Sequence, residues 1–297
     1  MSQILTLVAP PGGLGQSLLL RVRDALQALG AATGAPDWLA EAEAVDLPFD
    51  GLAAEQAVAA AGPALAGAPV DAIAVPTAGR RKKLLLADMD STIVTTETLD
   101  EIAAYAGLKE RIAEITRRSM NGELDFRAAL IERVGMLAGL PVSALERTWE
   151  ATALTPGARE LVRTMRANGA HCALVSGGFT FFTGRVADVV GFHAHYSNTL
   201  EIADGRLTGK VGEPILDRDA KLATLKRLAA EHGLALEAAA TVGDGANDLA
   251  MIQAAGLGVA FRAKPVVAAA ARARLDHADL RGLLFAQGYR AAEIVAA

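Results

Sequence analysis

Short apolar runs alternate with stretches carrying apolar residues at three and four spacings along this 297-residue chain, the pattern of strands alternating with amphipathic helices. Near the start, ILTLVAP reads as a strand and Ser17 to Leu29 as an amphipathic helix. Glu43 to Leu47 follows as a weaker strand, Ala53 to Leu65 as an Ala-rich helix and Val70 to Val75 as a closing strand. So compact an alternation predicts a small two-layer α/β module over residues 1–80. PTAGRRKK, Pro76 to Lys83, opens with turn residues and turns basic, which predicts a solvated linker.

The run LLLADMDST, Leu84 to Thr92, then ends an apolar strand in Asp88 and Asp90. From Glu97 to about Thr152 the pattern is helical throughout, in four short segments. That is too much for an ordinary crossover, so it predicts a helical cap at about residues 97–153, inserted after the first core strand and lying over the C-terminal edge of a sheet. After Pro156-Gly157 the alternation resumes with a helix, the strand HCALVS and a further helix. TLEI and RLTGKV flank Asp204-Gly205, a hairpin signal, because Asp-Gly tolerates the positive φ of such turns. The helix AKLATLKRLAAEHG, the strand AAATVGD, the helix NDLAMIQAAG and the strand LGVAF complete the series. Repeated β-α order predicts a parallel, doubly wound α/β sheet with ligands at the carboxyl ends of its strands.

Composition narrows the classes. At 52% hydrophobic and 21% charged residues the chain is globular rather than disordered. A net charge of -5 with dispersed basic residues argues against nucleic acid as a partner. The single cysteine, Cys172, excludes an internal disulfide and a Cys-based metal cage. No uncharged apolar run reaches the ~18 residues of a membrane span, and no basic segment followed by an apolar one opens the chain; a soluble, cytoplasmic protein is expected. The loop PPGGLG, with Gly12, Gly13 and Gly15, lacks the spacing and the lysine of a phosphate loop and reads as a flexible turn. His193 and His195 read as surface residues of an edge region.

Three polar clusters fall at strand ends: Asp88/Asp90, Ser176/Gly177 and Asp244/Asn247/Asp248. Residues two apart on an extended segment point the same way, so Asp88 and Asp90 converge, unless they merely form a surface turn. Three carboxylates at adjacent strand ends require a hard cation, and oxygen-only ligation suits Mg²⁺, which commonly also meets phosphate oxygens. Asp88, Asp90 and Asp244 form the expected metal set. One carboxylate can attack phosphorus while its neighbour protonates the leaving oxygen and then activates water. Ser176 and the Gly177 N–H, at a helix start, suit a phosphoryl group, and Lys221 either adds a full positive charge to that site or is a solvated surface lysine. Asn247 has two readings, helix cap and substrate contact, and Asp248 can orient a ligand.

With D-M-D-S-T, S-G-G, a downstream Lys and G-D-G-A-N-D in order, the chain resembles the haloacid dehalogenase superfamily and, within it, the phosphoserine phosphatase family, over roughly Lys83 to Ala286. The resemblance implies a Rossmann-like core with a helical cap and hydrolysis of O-phospho-L-serine through an aspartyl-phosphate. It implies Asp88 as nucleophile and Asp90 as acid/base, both holding Mg²⁺ with Asp244, and Ser176, Gly177, Lys221 and Asn247 on the phosphorylated substrate. In the cap it implies Glu97 for the substrate ammonium and Arg133 for its carboxylate, with Met120 and Phe126 closing over the site, although Phe126 also reads as a packing hydrophobe. Residues 1–80 resemble ACT-like regulatory extensions in coarse order only; a regulatory role and a homodimer formed through this module are the corresponding expectations. Two rival functions use the same residues: phosphoryl transfer to another acceptor such as homoserine, and a catalytically silent amino-acid-binding regulator.

Overall fold

The computed structural model describes residues 2–121, 123–216 and 218–297. The first unit runs β1 (Gln3–Val8), α1 (Gln16–Ala28), β2 (Ala32–Thr33), β3 (Asp37–Ala40), β4 (Ala44–Asp50), α2 (Ala54–Leu65) and β5 (Asp71–Pro76). Its five strands form one sheet in the order β2-β4-β1-β5, with β3 also on β4, and all pairs are antiparallel. Leu5, Leu7, Val45, Leu47 and Phe49 cluster with Leu19, Val22 and Leu26 of α1 and with Ala57 and Ala61 of α2. Val8, Ala44, Ile73 and Val75 belong instead to the main core. The period-two alternation of β1 and β4 thus divides the sheet between two hydrophobic partners. The apolar pattern does not reveal β2 and β3, because neither is long enough to show a period and both begin on exposed residues.

The second sheet has six strands: β6 (Leu84–Ala87), β7 (His171–Phe179), β8 (Ala194–Asn198), β11 (Ala239–Gly243), β12 (Leu257–Phe261) and β13 (Ala273–Leu275). They lie parallel in the order β13-β12-β11-β6-β7-β8. Leu84, Leu86, Ala173 and Val175 pack with Leu225 and Leu228 of α9 (Arg218–Glu231) and with Met251 of α10 (Leu249–Ala254). The opposite face joins the main core with Leu161 of α7 (Ala158–Ala167), Phe182 of α8 (Thr180–Val190) and Leu283 of α12 (Gly282–Ala286). Strands covered on both faces explain the near-continuous apolar runs of the sequence. A short helix α11 (Pro265–Ala270) completes the set.

Between β6 and β7 lie α3 (Thr98–Ala104), α4 (Lys109–Met120), α5 (Phe126–Gly135) and α6 (Ser143–Ala151), the expected cap. The hairpin β9 (Leu200–Ala203) and β10 (Arg206–Val211) turns through Asp204 and Gly205 at φ 51° and 71°. It grips the cap: Gly139 N–H donates to the Leu207 carbonyl (2.8 Å), Leu207 N–H to Leu140 (2.8 Å) and Val142 N–H to Gly205 (2.9 Å). His193 and His195 are exposed on the edge strand or beside it, where the His193 ring stacks on His171 and accepts from the Cys172 N–H. Cys172 is buried in β7, where burial pushes its thiol up to about 12. Among the described residues no helix is long and apolar enough to cross a membrane.

The basic segment departs from the solvated linker its composition suggests. Arg80 donates to both carboxylate oxygens of Asp46 (2.5 and 2.7 Å), to Thr6 Oγ1 (2.7 Å) and to the carbonyls of Phe285 and Ala286. Lys82 donates to the carbonyls of Gly79 and Glu237, so of the four basic residues Arg81 and Lys83 alone are exposed, alongside Pro76 to Gly79. From the other side Asp71 accepts from the backbone N–H groups of Asp276, His277 and Ala278. Composition suggested solvent because charged residues normally avoid burial; here side chains of the first sheet and main-chain groups of α12 and of the loops beside the second sheet satisfy the charges. With the Arg80 and Asp46 side chains only 10% and 6% exposed, Arg80→Leu strands a buried carboxylate. It is expected to lower unfolding free energy by about 3–5 kcal/mol in urea titrations. Adding Asp46→Asn should recover part of that, and a loss below ~1 kcal/mol would class the pair with surface bridges.

Candidate active site

Parallel register sets Ala87 of β6 beside Leu174 of β7 and Val242 of β11, so the residues that follow emerge at one level. Beyond β6 the chain makes a wide turn over Met89–Ile93, with Asp90 extended and Ser91 left-handed at φ 54°. That turn is closed by Val94 N–H to the Met89 carbonyl (3.0 Å) and Ser91 N–H to Thr96 (3.2 Å). Asp90 Oδ1 accepts from Thr98 N–H (2.9 Å), and its Oδ2 lies 3.5 Å from Ser176 Oγ. Ser176 Oγ accepts from the Gly178 N–H at 2.9 Å. The amide of Asn198 fixes this strand end by donating to the Gly177 carbonyl (2.9 Å) while accepting from Leu216 N–H (2.6 Å).

Lys221, 1% exposed in the first turn of α9, bridges Asp88 Oδ1 (2.8 Å) and Asp248 Oδ1 (2.6 Å). It is therefore no surface lysine. Burial works against its charge, but Asp248 and Asp88 outweigh burial and raise its pKa. The other oxygen of Asp248 accepts from the N–H groups of Asp244 (3.2 Å) and Gly245 (3.0 Å). Asp248 thus shapes the loop that carries Asp244. Asn247 caps nothing: its Oδ1 is buried without a hydrogen-bond partner, and the residue lines the cavity.

Carboxylate oxygens of Asp88, Asp244 and Asp248 lie within 4.8 Å of one another. Burial, then Asp248, drives Asp88 well above the usual carboxylate range despite Lys221, and the same two causes push Asp244 up to about 7. Burial also raises Asp90, against the hydrogen bond from Thr98. So much negative charge in a dry site favours a proton or a cation. Asp244 Oδ2 has no hydrogen-bond donor, only Lys264 Nζ at 3.6 Å, whereas both oxygens of Asp248 are engaged. The acid in this cluster with a free oxygen is therefore Asp244 rather than Asp248, and oxygen-only donors fit a hard cation. The side chain of Asp90 is not among the three within 4.8 Å; it is directed at Ser176 and Thr98 instead.

One cavity gathers Asp88, Asp90, Glu97, Arg133, Ser176, Gly177 and Asn247. Lys221 and Asp244 sit behind Asp88 rather than on the cavity wall. Ser91 Oγ donates to Glu97 Oε1 at 2.5 Å, yet burial first, then Asp90 and Asp244, push Glu97 up to about 8. Phe126 closes the cavity above Gly177, where an added Cβ would lie 2.5 Å from Phe126 Cζ. The side chain of Met120 lies outside the described residues. Lys264, Thr116 and Ser119 escape sequence reasoning: Lys264 follows a strand end without a motif, and the other two look like any polar face of a helix.

Comparison with known proteins agrees with this geometry. The profile of haloacid dehalogenase-like hydrolases matches residues 85–253. The chain belongs to that family. A phosphoserine phosphatase of Streptomyces coelicolor is 43% identical over 86% of this chain and 62% of its own length. One from Streptococcus thermophilus is 47% identical over 67% of this chain and 93% of its own length. A solved structure titled as a phospho-aspartyl intermediate analogue of phosphoserine phosphatase superimposes with a TM-score of 0.66 at 39% identity, covering 69% of this chain and 98% of that one. The chain spans only 54–62% of the length of some of its curated relatives, those from Streptomyces coelicolor, Archaeoglobus fulgidus and Mycobacterium tuberculosis.

Gly177→Ala should displace Phe126 and hold the cap off the strand ends. The expected result is about a hundredfold loss of phosphatase turnover, with partial recovery in Gly177→Ala/Phe126→Ala. Steady-state kinetics of both variants checks it, and an unimpaired single variant would refute the contact.

Proposed function

We propose that this chain is a Mg²⁺-dependent phosphoserine phosphatase, hydrolysing O-phospho-L-serine to L-serine and phosphate as the last step of serine biosynthesis in the cytoplasm. The observation that carries the reading is one cavity lined by a carboxylate pair, a Ser/Gly strand end, and a glutamate with an arginine. The first two suit a phosphoryl group; the glutamate and the arginine suit an ammonium and a carboxylate. The relatives named phosphoserine phosphatase support the same substrate.

On this reading an oxygen of Asp88 attacks phosphorus, the P–O bond to the seryl oxygen breaks, and Asp90 delivers its proton to that oxygen. The raised pKa of Asp90 suits the protonated start of this cycle. Asp90 then takes a proton from water, whose oxygen attacks phosphorus and frees Asp88 and phosphate. Ser176, the Gly177 N–H and Asn247 hold the phosphoryl oxygens, and Lys221, seated on Asp88 and Asp248, adds its positive charge from behind the nucleophile. Asp88 and Asp244 would hold Mg²⁺, which supplies charge neutralisation when bound, while the Asp90 side chain, turned toward Ser176 and Thr98, is left to carry the proton. Glu97, raised to about 8 by burial and then by its acidic neighbours, ionises against the substrate ammonium, and Arg133 receives its carboxylate. Phe126 excludes water. Residues 81–297 form the phosphatase domain; residues 1–80 act as an ACT-like regulatory module through which a homodimer forms, and neither nucleic acid nor membrane is a partner.

A phosphate-release screen over phosphoserine, phosphothreonine, phosphoethanolamine and sugar phosphates tests the proposal, run after chelation and again with Mg²⁺. Phosphoserine should be preferred, and turnover should vanish on chelation and return with Mg²⁺. Preference for a sugar phosphate would overturn the substrate. Added acceptor alcohols such as homoserine, with product analysis, separate hydrolysis from phosphoryl transfer. Asp88→Asn should abolish phosphate release while circular dichroism stays unchanged; substantial residual turnover would exclude the covalent route.

A further inference from the structure

Three cap helices meet around a guanidinium. Arg133 of α5 is 6% exposed, and its Nε donates to the Ala129 carbonyl one turn earlier (3.1 Å). Its Nη1 donates to Thr116 Oγ1 of α4 at 2.9 Å. Thr116, 3% exposed, itself donates at 2.6 Å to Asp100 Oδ1 of α3, with the Ile112 carbonyl at 3.0 Å as a second acceptor. A hydroxyl has one proton and two lone pairs. With the proton committed to Asp100, its lone pairs face Arg133.

Both acceptors that fix Arg133 are therefore uncharged, and among the described residues no ion pair involves Arg133. This matters because a carboxylate in direct contact would occupy the guanidinium fork in the bidentate way a substrate carboxylate needs. Thr116 stands between the two charges. It leaves Asp100 near enough to favour the cation, which burial otherwise disfavours, while the rest of the fork stays available to the cavity that Thr116 and Arg133 both line.

We infer that Thr116, backed by the carboxylate of Asp100, is a positioning residue that aims Arg133 and thereby sets the preference for phosphate esters bearing a carboxylate. The inference rests on the reading of Arg133 as the carboxylate-binding residue, and the test separates the two. Phosphoserine and phosphoethanolamine, which differ by that carboxylate, are compared in the full-length chain with Mg²⁺. Thr116→Val keeps the shape of the side chain and removes the hydroxyl. It should raise KM for phosphoserine about tenfold with kcat nearly unchanged, and leave phosphoethanolamine kinetics within about twofold. Thr116→Ser should restore phosphoserine KM, and Asp100→Asn, which still accepts from Thr116 without the charge, should fall between wild type and Thr116→Val. A Thr116→Val that affects both substrates equally, or neither, overturns the positioning role. Arg133→Ala is the control: if it discriminates between the substrates and Thr116→Val does not, only the positioning role falls. If Arg133→Ala affects both equally, the assignment of Arg133 falls and takes the inference with it.

Discussion

The arrangement depends on one buried ammonium. Lys221 Nζ contacts Asp88 and Asp248 at 2.8 and 2.6 Å with 1% exposure, in a place where three carboxylates approach within 4.8 Å. Bringing like charges together out of water is strongly unfavourable unless opposite charge accompanies them. Lys221 balances part of the excess and Lys264 a further part at longer range, yet burial and Asp248 still hold Asp88 and Asp244 above their ordinary range. The residual imbalance is what makes the cluster receptive to a cation. Asp248 contributes indirectly, since one oxygen fixes Lys221 and the other holds the loop of Asp244.

The parallel sheet explains why these groups can meet at all. β6 lies between β7 and β11, so Asp88, Ser176 and Asp244, far apart in sequence, leave adjacent strands at the same height. The last residues of β7 carry the donors Ser176 and Gly177, inside the strand rather than at the helix start their sequence suggested, and the turn following β6 carries the second carboxylate. Selectivity is built on other elements. Arg133, Thr116 and Asp100 come from three helices of the cap, and the hairpin β9–β10 braces that cap through main-chain hydrogen bonds. The residues read as performing the reaction therefore belong to the rigid sheet, while most of those read as choosing the substrate belong to an insertion that can vary without disturbing it.

The parallel core, the cap and the positions of Asp88, Asp90, Ser176 and Asp244 were legible because each left a local trace: an apolar run, a helical period, or acids at a strand end. What stayed hidden depends on contacts across large sequence separations. Arg80 looked like part of a solvated linker, since nothing local indicates that Asp46 and the carbonyls of Phe285 and Ala286 receive it. For Asn247 the sequence left cap and substrate contact equally open; the loop uses Asp248 to satisfy its N–H groups and leaves Asn247 Oδ1 without a partner, which removes the cap. The short strands β2 and β3 owe their pairing to β4 rather than to any periodicity of their own. Thr116 is one polar residue on a helix until Asp100 and Arg133 are seen on either side of it.

The contact between Phe126 and Gly177 joins the two halves of the site. Glycine is required there for space rather than for backbone freedom, since any Cβ would meet the ring. A ring seated that close to the strand end removes water from the place where Asp88 and Ser176 face the cavity, which strengthens every charged interaction inside. The same ring ties the cap that carries Glu97 and Arg133 to the sheet end that carries Asp88 and Ser176, so a change on either side of this contact reaches the cavity that both sides line.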